Sequence, residues 1–450
     1  MRESVVALRD ADMVLKRILL LLSLTGGLPS AMAEPTATAK PLTLAEAIVL
    51  TLQRNPDLSS FSWDIRAAEA RIIQAKLSPN PEFSVDGENL TKTGGEGEGI
   101  QNTIQLSQLI ERGGKKKSRV REAQFEWEGS QWEYQAKRLE VLKGTSTAFV
   151  DVLAAQSSLQ LKQDSLAIAE AAVPATRTRV DAGKAAAVEL VRAQTAVGSA
   201  RIELEEAKRE LQTARLNLAA QWGEKKASFP NVIGNLEQVR QPPPLESLNA
   251  KLQRNPNLAR WTTESEKRKA TVRVARNEAK PDITLQAGPR LIGTNPIDVT
   301  LVAGFSIPLP LWNRNQGKIA EAEANLGKVA DERANAEARA YADLNEAYQT
   351  LAGSLHEARV LRETVLPGAK STVDETARGY AVGRFSQLDV LEAQRNYNES
   401  RTQYIRALSS YQKAQAQIDA LTAGPIELPK PRKPRQGLTE TQNGKVIRNE

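Results

Sequence analysis

The chain has 450 residues, a formal net charge of +7, no cysteine and a single histidine. Without cysteine it cannot form disulfides or thiolate centres, and one histidine, His356, all but excludes a Cys/His metal cluster. The charge is modest for this length, and basic residues alternate with acidic ones along helical stretches. This pattern is typical of solvated helix faces, so we expect no nucleic-acid partner.

Residues 1–33 are predicted to form a signal peptide, whether translation starts at Met1 or at Met13. A basic start and a short apolar run precede Ala31-Met32-Ala33, which is typical of a cleavage site. Because no cysteine follows, we expect no amino-terminal lipid anchor on cysteine. No later segment approaches about 18 continuous apolar residues, so if the exported chain crosses a membrane it must do so with strands.

The chain repeats itself at a spacing of 200 residues. Leu52-Gln-Arg-Asn-Pro-Asp-Leu58 returns as Leu252-Gln-Arg-Asn-Pro-Asn-Leu258, and Gly183 matches Gly383. A period of this length indicates two copies of a domain-sized unit that share one assembly. The predicted divisions are a first repeat at 34–240, a second repeat at 241–423 and a disordered tail at 424–450.

Each repeat opens with two helices, and then the hydrophobic period changes to two. In the first repeat Phe83 and Val85 alternate with Glu82, Ser84 and Asp86, which predicts a strand. Each predicted strand has about ten residues, the length that a tilted strand needs to cross a bilayer. The four predicted strands lie at about 81–90, 99–108, 281–291 and 298–308.

Each pair of strands is followed by a long helical hairpin, at about 115–222 and 315–421. Its first helix spans 67 residues, which is about 100 Å at 1.5 Å per residue. Pro174 and Pro367 are expected to kink these helices, and a break is possible at either one, because proline removes a backbone donor. Glycines at 183 and 383 mark the turns.

The returning helices carry a heptad pattern of large and small residues, which predicts coiled-coil packing with close approach of the neighbouring helix. The large positions are Leu190, Val197, Leu204, Leu211 and Leu218 in the first helix, and Val390, Tyr397, Tyr404, Tyr411 and Ile418 in the second. The small positions are Ala193, Ala200, Ala207, Ala214, Ala393, Ser400, Ala407 and Ala414. Tyr397, Tyr404 and Tyr411 occupy large positions of this pattern, so we expect them to have a packing role.

Four strands cannot close a barrel, and an open sheet edge is not tolerated in lipid, so we expect several copies to complete the sheet. Two copies supply eight strands, whose barrel fills with side chains, whereas three supply twelve around an open lumen. The predicted fold is mainly α with a small membrane β part. Long coiled-coil helical hairpins form an α-barrel, and four strands per chain contribute to a β-barrel.

The mature sequence combines the opening Leu42-Thr-Leu-Ala-Glu-Ala47, the two Arg-Asn-Pro steps, the segment 307–318 and the segment 380–394 in a specific order and spacing. By these motifs it resembles the TolC family of outer-membrane efflux channels. The resemblance implies a homotrimer with a twelve-stranded β-barrel in outer-membrane lipid and a helical tunnel through the periplasm of a Gram-negative bacterium. It also implies docking onto a periplasmic adaptor, or membrane fusion protein, and onto an inner-membrane pump of the RND type.

Within the family, Glu88-Asn89-Leu90 and the segments 108–115 and 179–184 are similar to the outer-membrane component of cobalt-zinc-cadmium efflux systems. This implies a passive conduit for divalent heavy-metal cations. Multidrug efflux and type I secretion are the alternatives within the family, and a periplasmic coiled-coil scaffold is the alternative outside it. The sequence has no nucleophile–base pair, metal cluster or nucleotide-binding loop, so we expect no enzymatic activity, cofactor or bound metal.

In the family the helical turns form the entrance of the tunnel and contact the adaptor. The resemblance therefore assigns this contact to Gly183, Lys184, Val382, Gly383 and Arg384. A helix–helix turn also needs a glycine with positive φ for purely structural reasons, so both roles stay open here.

Two acidic residues, Asp389 and Glu392, match positions that ring the narrowest part of the entrance in the family. Three copies would place six carboxylates near one axis, which attracts cations. Asp389 also fits a helix cap with Ser386, and Glu392 fits a solvated surface glutamate, so these alternatives remain.

Tyr380 and Glu189 match residues that latch the closed entrance in relatives. Phe385 and Val188 depart from the pattern, because a polar latch is expected there. Trp312 follows the last predicted strand and suits the aromatic belt at a membrane interface, with ordinary packing as the alternative.

Overall fold

The computed structural model describes residues 40–88, 100–293 and 297–423. The described residues from Pro41 onward form one compact unit, so the two repeats are not separate bodies. The predicted signal peptide, the predicted tail and the tips of both strand hairpins lie outside the described residues.

The first repeat consists of a short strand, two helices, two longer strands, a very long helix, a returning helix and a second short strand. These elements are β1 (Leu42–Thr43), α1 (Leu44–Arg54), α2 (Pro56–Ala75), β2 (Glu82–Glu88), β3 (Gln101–Ile110), α3 (Lys115–Asp181), α4 (Ala187–Ala220) and β4 (Val232–Ile233).

The second repeat has the same order of longer elements, with one π-helical turn added. Its elements are α5 (Leu245–Leu252), α6 (Pro256–Glu278), β5 (Ile283–Ile292), β6 (Asp298–Ser306), α7 (Gln316–Val360), the π-turn (Leu361–Val365), α8 (Leu366–Ala381) and α9 (Gln387–Thr422). The prediction of a mainly helical chain with one hairpin of strands in each repeat is confirmed.

The repeated Asn-Pro step starts one helix and contacts the end of another. The Asn55 side chain accepts a hydrogen bond from the Leu58 N–H at 2.9 Å and donates one to the Gln221 carbonyl at 2.7 Å. In the second repeat the Asn255 side chain donates to the Leu421 carbonyl at 2.9 Å. Because the first N–H groups and the last carbonyls of a helix lack partners within it, each asparagine satisfies both kinds of group.

The two prolines of the long helices have different consequences. Helix α3 passes Pro174 without a break. In the second repeat the π-turn comes just before Pro367, and the Leu366 N–H donates to the Leu361 carbonyl, five residues back. Pro367 then lies in the first turn of α8, where a missing N–H costs least.

Strands β2, β3, β5 and β6 form one antiparallel sheet in that order, so the hairpins of the two repeats are joined through β3 and β5. In the register Phe83 lies opposite Leu106, and Leu285 lies opposite Phe305. These residues share one face, because side chains alternate along a strand. The edge strands β2 and β6 have no partner on their outer sides within the described residues.

The opposite face of the sheet is polar. Cross-strand neighbours there include Asp86 with Thr103, and Arg290 with Thr300. One face is thus exposed and apolar, and the other carries all the charged side chains of the four strands.

The heptad positions of the returning helices face the neighbouring helices. Leu211 and Leu218 are buried in α4, and Tyr411 and Ile418 are buried in α9. The remaining heptad positions are partly or fully covered, which agrees with coiled-coil packing.

The segment between the repeats, 221–244, is a strap that packs across both hairpins. The Val232 backbone forms two hydrogen bonds with the Gln156 side chain on α3, at 2.9 and 3.2 Å. The Tyr411 hydroxyl on α9 accepts from the Arg240 N–H at 2.9 Å and donates to the Arg240 carbonyl at 2.8 Å. The strap therefore joins the first hairpin to the second one midway along the helices.

None of the helices in the described ranges is both long and apolar enough to cross a membrane.

Candidate functional site at the helical turns

Helix α3 in the first repeat and helix α8 in the second end in the same hydrogen-bonded turn. Gly183 has a φ of 68°, and the Lys184 N–H donates to the Arg179 carbonyl at 2.8 Å. Gly383 has a φ of 81°, and the Arg384 N–H donates to the Gly379 carbonyl at 2.8 Å. This is the Schellman motif, in which a glycine of positive φ ends the helix and satisfies its last carbonyls.

The turns are exposed at their tips. Val382 is 72% exposed, and Lys184 and Arg384 are exposed cations that form no ion pair with other described residues. No atom lies within 4 Å of the position that a Cβ would take on Gly183 or Gly383, so the backbone conformation alone selects glycine there.

Tyr380 and Glu189, which the sequence predicts to act together, are in contact. The Tyr380 hydroxyl on α8 donates to Glu189 Oε2 on α4 at 2.9 Å. Partial burial raises the pKa of the Tyr380 hydroxyl above its ordinary value, and the hydrogen bond to Glu189 raises it further. This bond connects the tip of the second hairpin to the tip of the first.

Arg179 reinforces the same connection from α3. Its Nη1 donates to the Tyr380 carbonyl at 2.7 Å, and its Cζ lies 4.1 Å from the centre of the Tyr380 ring. At that distance a guanidinium is attracted by the electrons of the ring face. Arg179 lies in the segment 179–184 that carries the resemblance, but the sequence predicts no contact for it.

A second link lies deeper between the hairpins. The buried Gln387 side chain donates from Nε2 to Thr176 Oγ1 at 3.4 Å, and Thr176 is also buried. Nearby, the Phe385 ring covers Gly379, where an added Cβ would come within 2.2 Å of the ring. Phe385 is 46% exposed, so its ring lies over the second turn and contacts Gly379 with one side.

Asp389 forms a capping box with Ser386. The Ser386 N–H and hydroxyl both donate to Asp389 Oδ2 at 2.8 Å, and the Asp389 N–H donates to Ser386 Oγ at 3.3 Å. The hydrogen bonds from the Ser386 side chain and backbone hold the pKa of the Asp389 carboxyl below its ordinary value. Glu392 follows three residues later and is exposed, so both carboxylates lie on one face of α9.

Trp312 is located at the strand end of the chain, between β6 and α7, and is 86% exposed. Its carbonyl accepts a hydrogen bond from Gln316 Nε2 at 3.2 Å, while its indole ring is free of packing. Among the described residues no group of three or more His, Cys, Asp or Glu side chains is arranged to hold a metal ion.

A model of the family described as "Outer membrane efflux protein" matches residues 47–224 and 248–424, one match in each repeat. The chain belongs to this family. Membership in a family of efflux proteins confirms the predicted resemblance and the prediction that the chain is not an enzyme.

The chain is similar in sequence to metal-resistance proteins. The chain is 33% identical over 390 residues to the cobalt-zinc-cadmium resistance protein CzcC of Cupriavidus metallidurans, covering 86% of this chain and 91% of CzcC. It is 26% identical over 321 residues to the nickel-cobalt-cadmium resistance protein NccC of Alcaligenes xylosoxydans xylosoxydans, covering 69% and 70%.

Among solved structures, the CmeC outer membrane channel of Campylobacter jejuni superposes with a TM-score of 0.71 at 17% identity, covering 90% of this chain and 95% of that one. At this identity the likeness establishes a shared fold. The predicted fold, mainly helical with two strands in each repeat, is therefore confirmed over most of the chain.

Proposed function

We propose that the protein is the outer-membrane channel of a tripartite efflux system, a passive trimeric conduit for divalent heavy-metal cations across the periplasm and the outer membrane. The observation that carries this proposal is the 33% identity to a cobalt-zinc-cadmium resistance protein over 91% of that relative's length. The match therefore spans nearly the whole length of that relative.

The open sheet supports an assembly of three copies. Strand β2 at one edge and strand β6 at the other lack outer partners in the described part of the chain. The two edges differ, so β6 of one copy pairs with β2 of the next in a head-to-tail contact that closes into a ring. Three copies give twelve strands, enough to surround a water-filled lumen.

The polar face of the sheet supports cations as cargo. This face carries four carboxylates, and within the described strands Arg290 is the only basic residue on it. The four are Glu82, Asp86, Glu88 and Asp298. Glu82, Asp86 and Glu88 face uncharged cross-strand neighbours, and none of the four carboxylates forms an ion pair with another described residue. In a closed barrel with the apolar face toward lipid, this excess of carboxylates lines the lumen and favours cations over anions.

The helical turns are the proposed contact with a periplasmic adaptor, which in turn connects the channel to an inner-membrane pump. Lys184, Val382 and Arg384 project from the tips without partners among the described residues, which suits a surface that another protein covers. Asp389 and Glu392, one helical turn away, are the proposed acidic ring of the entrance.

Deletion and complementation test the function. We expect loss of the gene to lower the tolerated concentration of zinc, cobalt or cadmium several-fold, and the intact gene to restore it. An increase in sensitivity to hydrophobic drugs without any change for metals would favour the multidrug alternative.

Cell fractionation tests the proposed location and oligomeric state of the protein. We expect the protein in the outer-membrane fraction as a trimer, with its amino terminus at Glu34 after processing. Recovery as a soluble periplasmic monomer would favour the coiled-coil scaffold instead.

A further inference from the structure

The apolar face of the sheet continues beyond the last strand. Phe305, near the end of β6, is largely exposed on this face, and Ile307 and Leu309 follow it at alternate positions of the chain and are exposed too. Leu309 is 74% exposed, and Leu311 and Trp312 after it are also exposed. Pro308 fixes φ and has no N–H to donate to a neighbouring strand. Beyond it the Leu311 N–H donates to the Leu309 carbonyl at 2.9 Å, so the chain turns here.

Cationic side chains begin where this apolar face ends. Ile110, the last residue of β3, pairs with Ile283, and Arg112 follows two residues later with its side chain exposed. On the other strand end, Arg314 follows Trp312 and its Nε donates to the Pro310 carbonyl at 3.3 Å. The guanidinium group of Arg314 is thereby held at the backbone of Pro310, between the exposed residues Leu309 and Leu311.

The same border has an excess of basic residues. Between Glu111 and Arg119 there are five basic residues and one acidic residue. Lys115 and Arg119 are paired with Asp282 and Glu111. Three basic residues then remain without an acidic partner among the described residues: Arg112, Lys116 and Lys117.

Along the chain from the last strand the border therefore presents, in order, an uncharged apolar surface, an exposed indole with leucines, and a cation without an acidic partner among the described residues. An acyl chain, an interfacial region and a phosphate group follow one another in the same order in a phospholipid leaflet. Tryptophan is enriched at such interfaces, and basic residues there attract anionic headgroups.

We propose that Leu309, Leu311 and Trp312, together with Arg112 and Arg314, form a belt that binds the headgroups of anionic phospholipids. Trp312 and the leucines enter the interfacial region, and the two arginines pair with phosphodiesters whose negative charge no cation of the same headgroup neutralises. The belt rests on the proposed function, since it requires the sheet to lie in a membrane.

The test measures lipid preference on the purified, full-length trimer in a mild detergent. Phosphatidylglycerol or phosphatidylcholine is titrated into the sample, and bound lipid is counted by native mass spectrometry. We expect several-fold tighter binding of phosphatidylglycerol in the wild type. The double variant Arg112→Gln with Arg314→Gln should bring the ratio close to one, and Trp312→Ala should weaken both lipids alike without removing the preference.

The matched control is Arg209→Gln with Arg339→Gln, which removes two exposed arginines from helices α4 and α7. This control should keep the preference of the wild type. Equal binding of the two lipids by the wild type, or an equal loss of preference in the control, would overturn the belt. Competition by inorganic phosphate at millimolar concentration would also overturn it, because the site would then bind free phosphate and not a lipid surface.

Different results would contradict the lipid-binding belt and the proposed function. If the arginine double variant still forms trimers and restores metal tolerance but binds both lipids as the wild type does, only the belt is wrong. If the wild type forms no trimer in the outer-membrane fraction, the proposed function is wrong.

Discussion

At the scale of single residues, Tyr380 makes the contacts that join the two helical turns. Its hydroxyl bonds to Glu189, its carbonyl accepts from Arg179, and its ring lies against the Arg179 guanidinium. The sequence predicted the pair of Tyr380 and Glu189 from a resemblance. It could not predict Arg179 or the Thr176–Gln387 link, because these contacts join residues about 200 positions apart that share no periodic pattern.

Removing the Tyr380 hydroxyl should loosen the turns. Tyr380→Phe keeps the ring and the backbone bond but loses the hydrogen bond to Glu189. For a partly exposed bond to a charged group we expect a loss of about 1 kcal/mol, or roughly a fivefold shift toward separated turns. Single-channel recording in planar bilayers should show a higher open fraction.

The matched control for this change is Tyr397→Phe, since the Tyr397 hydroxyl makes no hydrogen bond in the described part of the chain. Its open fraction should equal that of the wild type. An unchanged open fraction in Tyr380→Phe would contradict the assigned role of the bond.

The pKa of Tyr380 predicts a response to alkaline pH. The hydroxyl is protonated when it donates to Glu189, and its pKa is raised above the ordinary 10.0 by burial and then by this bond. Its stabilising contribution is therefore complete below pH 10 and is lost as the pH rises through the raised pKa. Conductance of the wild type should increase in that range, and a similar increase in Tyr380→Phe would contradict this assignment.

At the scale of elements, the helices were predictable because their signals are local. Helix α3 has the predicted bounds, and the turns occur at the predicted glycines. The strap at 221–244 was not predictable, because it has no period and its buried residues contact helices far away in the chain. The π-turn was also missed, since proline removes a donor but does not specify how the preceding turn adapts.

The turn glycines should be sensitive to replacement by alanine. Gly183→Ala and Gly383→Ala each force a side chain into positive φ, and we expect a loss of about 1 kcal/mol of stability at each site. Gly327→Ala is the control, because Gly327 lies inside α7 and no atom lies within 4 Å of the position that its Cβ would take, so this variant should gain about 0.5 to 1 kcal/mol. The melting temperature of the trimer measures the stability of all three variants. Equal changes in the three would contradict the requirement for glycine at positive φ.

The polar face of the sheet should determine ion preference. Replacing Glu82, Asp86 and Glu88 by the matching amides removes three carboxylates per copy from this face. The reversal potential in a salt gradient should then move toward that of a non-selective pore. Ser84→Ala with Gln105→Asn changes the same face without changing its charge and should leave the potential unaltered. A shift of equal size in this control would contradict the electrostatic explanation.

At the scale of the whole molecule, the account depends on the open edges of the sheet. One chain supplies four longer strands, and its two outer strands, β2 and β6, have no partner on their outer sides within the described residues. The sequence predicted this incompleteness from strand length and number, and the sheet order β2-β3-β5-β6 identifies which strands are at the edges. The register between copies does not follow from one chain, because it depends on contacts that only the assembly makes.

The most direct measurement is cross-linking of the two edges in the outer membrane. The chain has no native cysteine, so any disulfide must come from introduced residues. Ser84→Cys on β2 is combined in turn with Thr300→Cys, Val302→Cys or Gly304→Cys on β6, which lie on the same face of the sheet. We predict covalent trimers in the outer-membrane fraction for one register of these pairs. Monomers in every combination, recovered from the soluble periplasmic fraction, would contradict the channel.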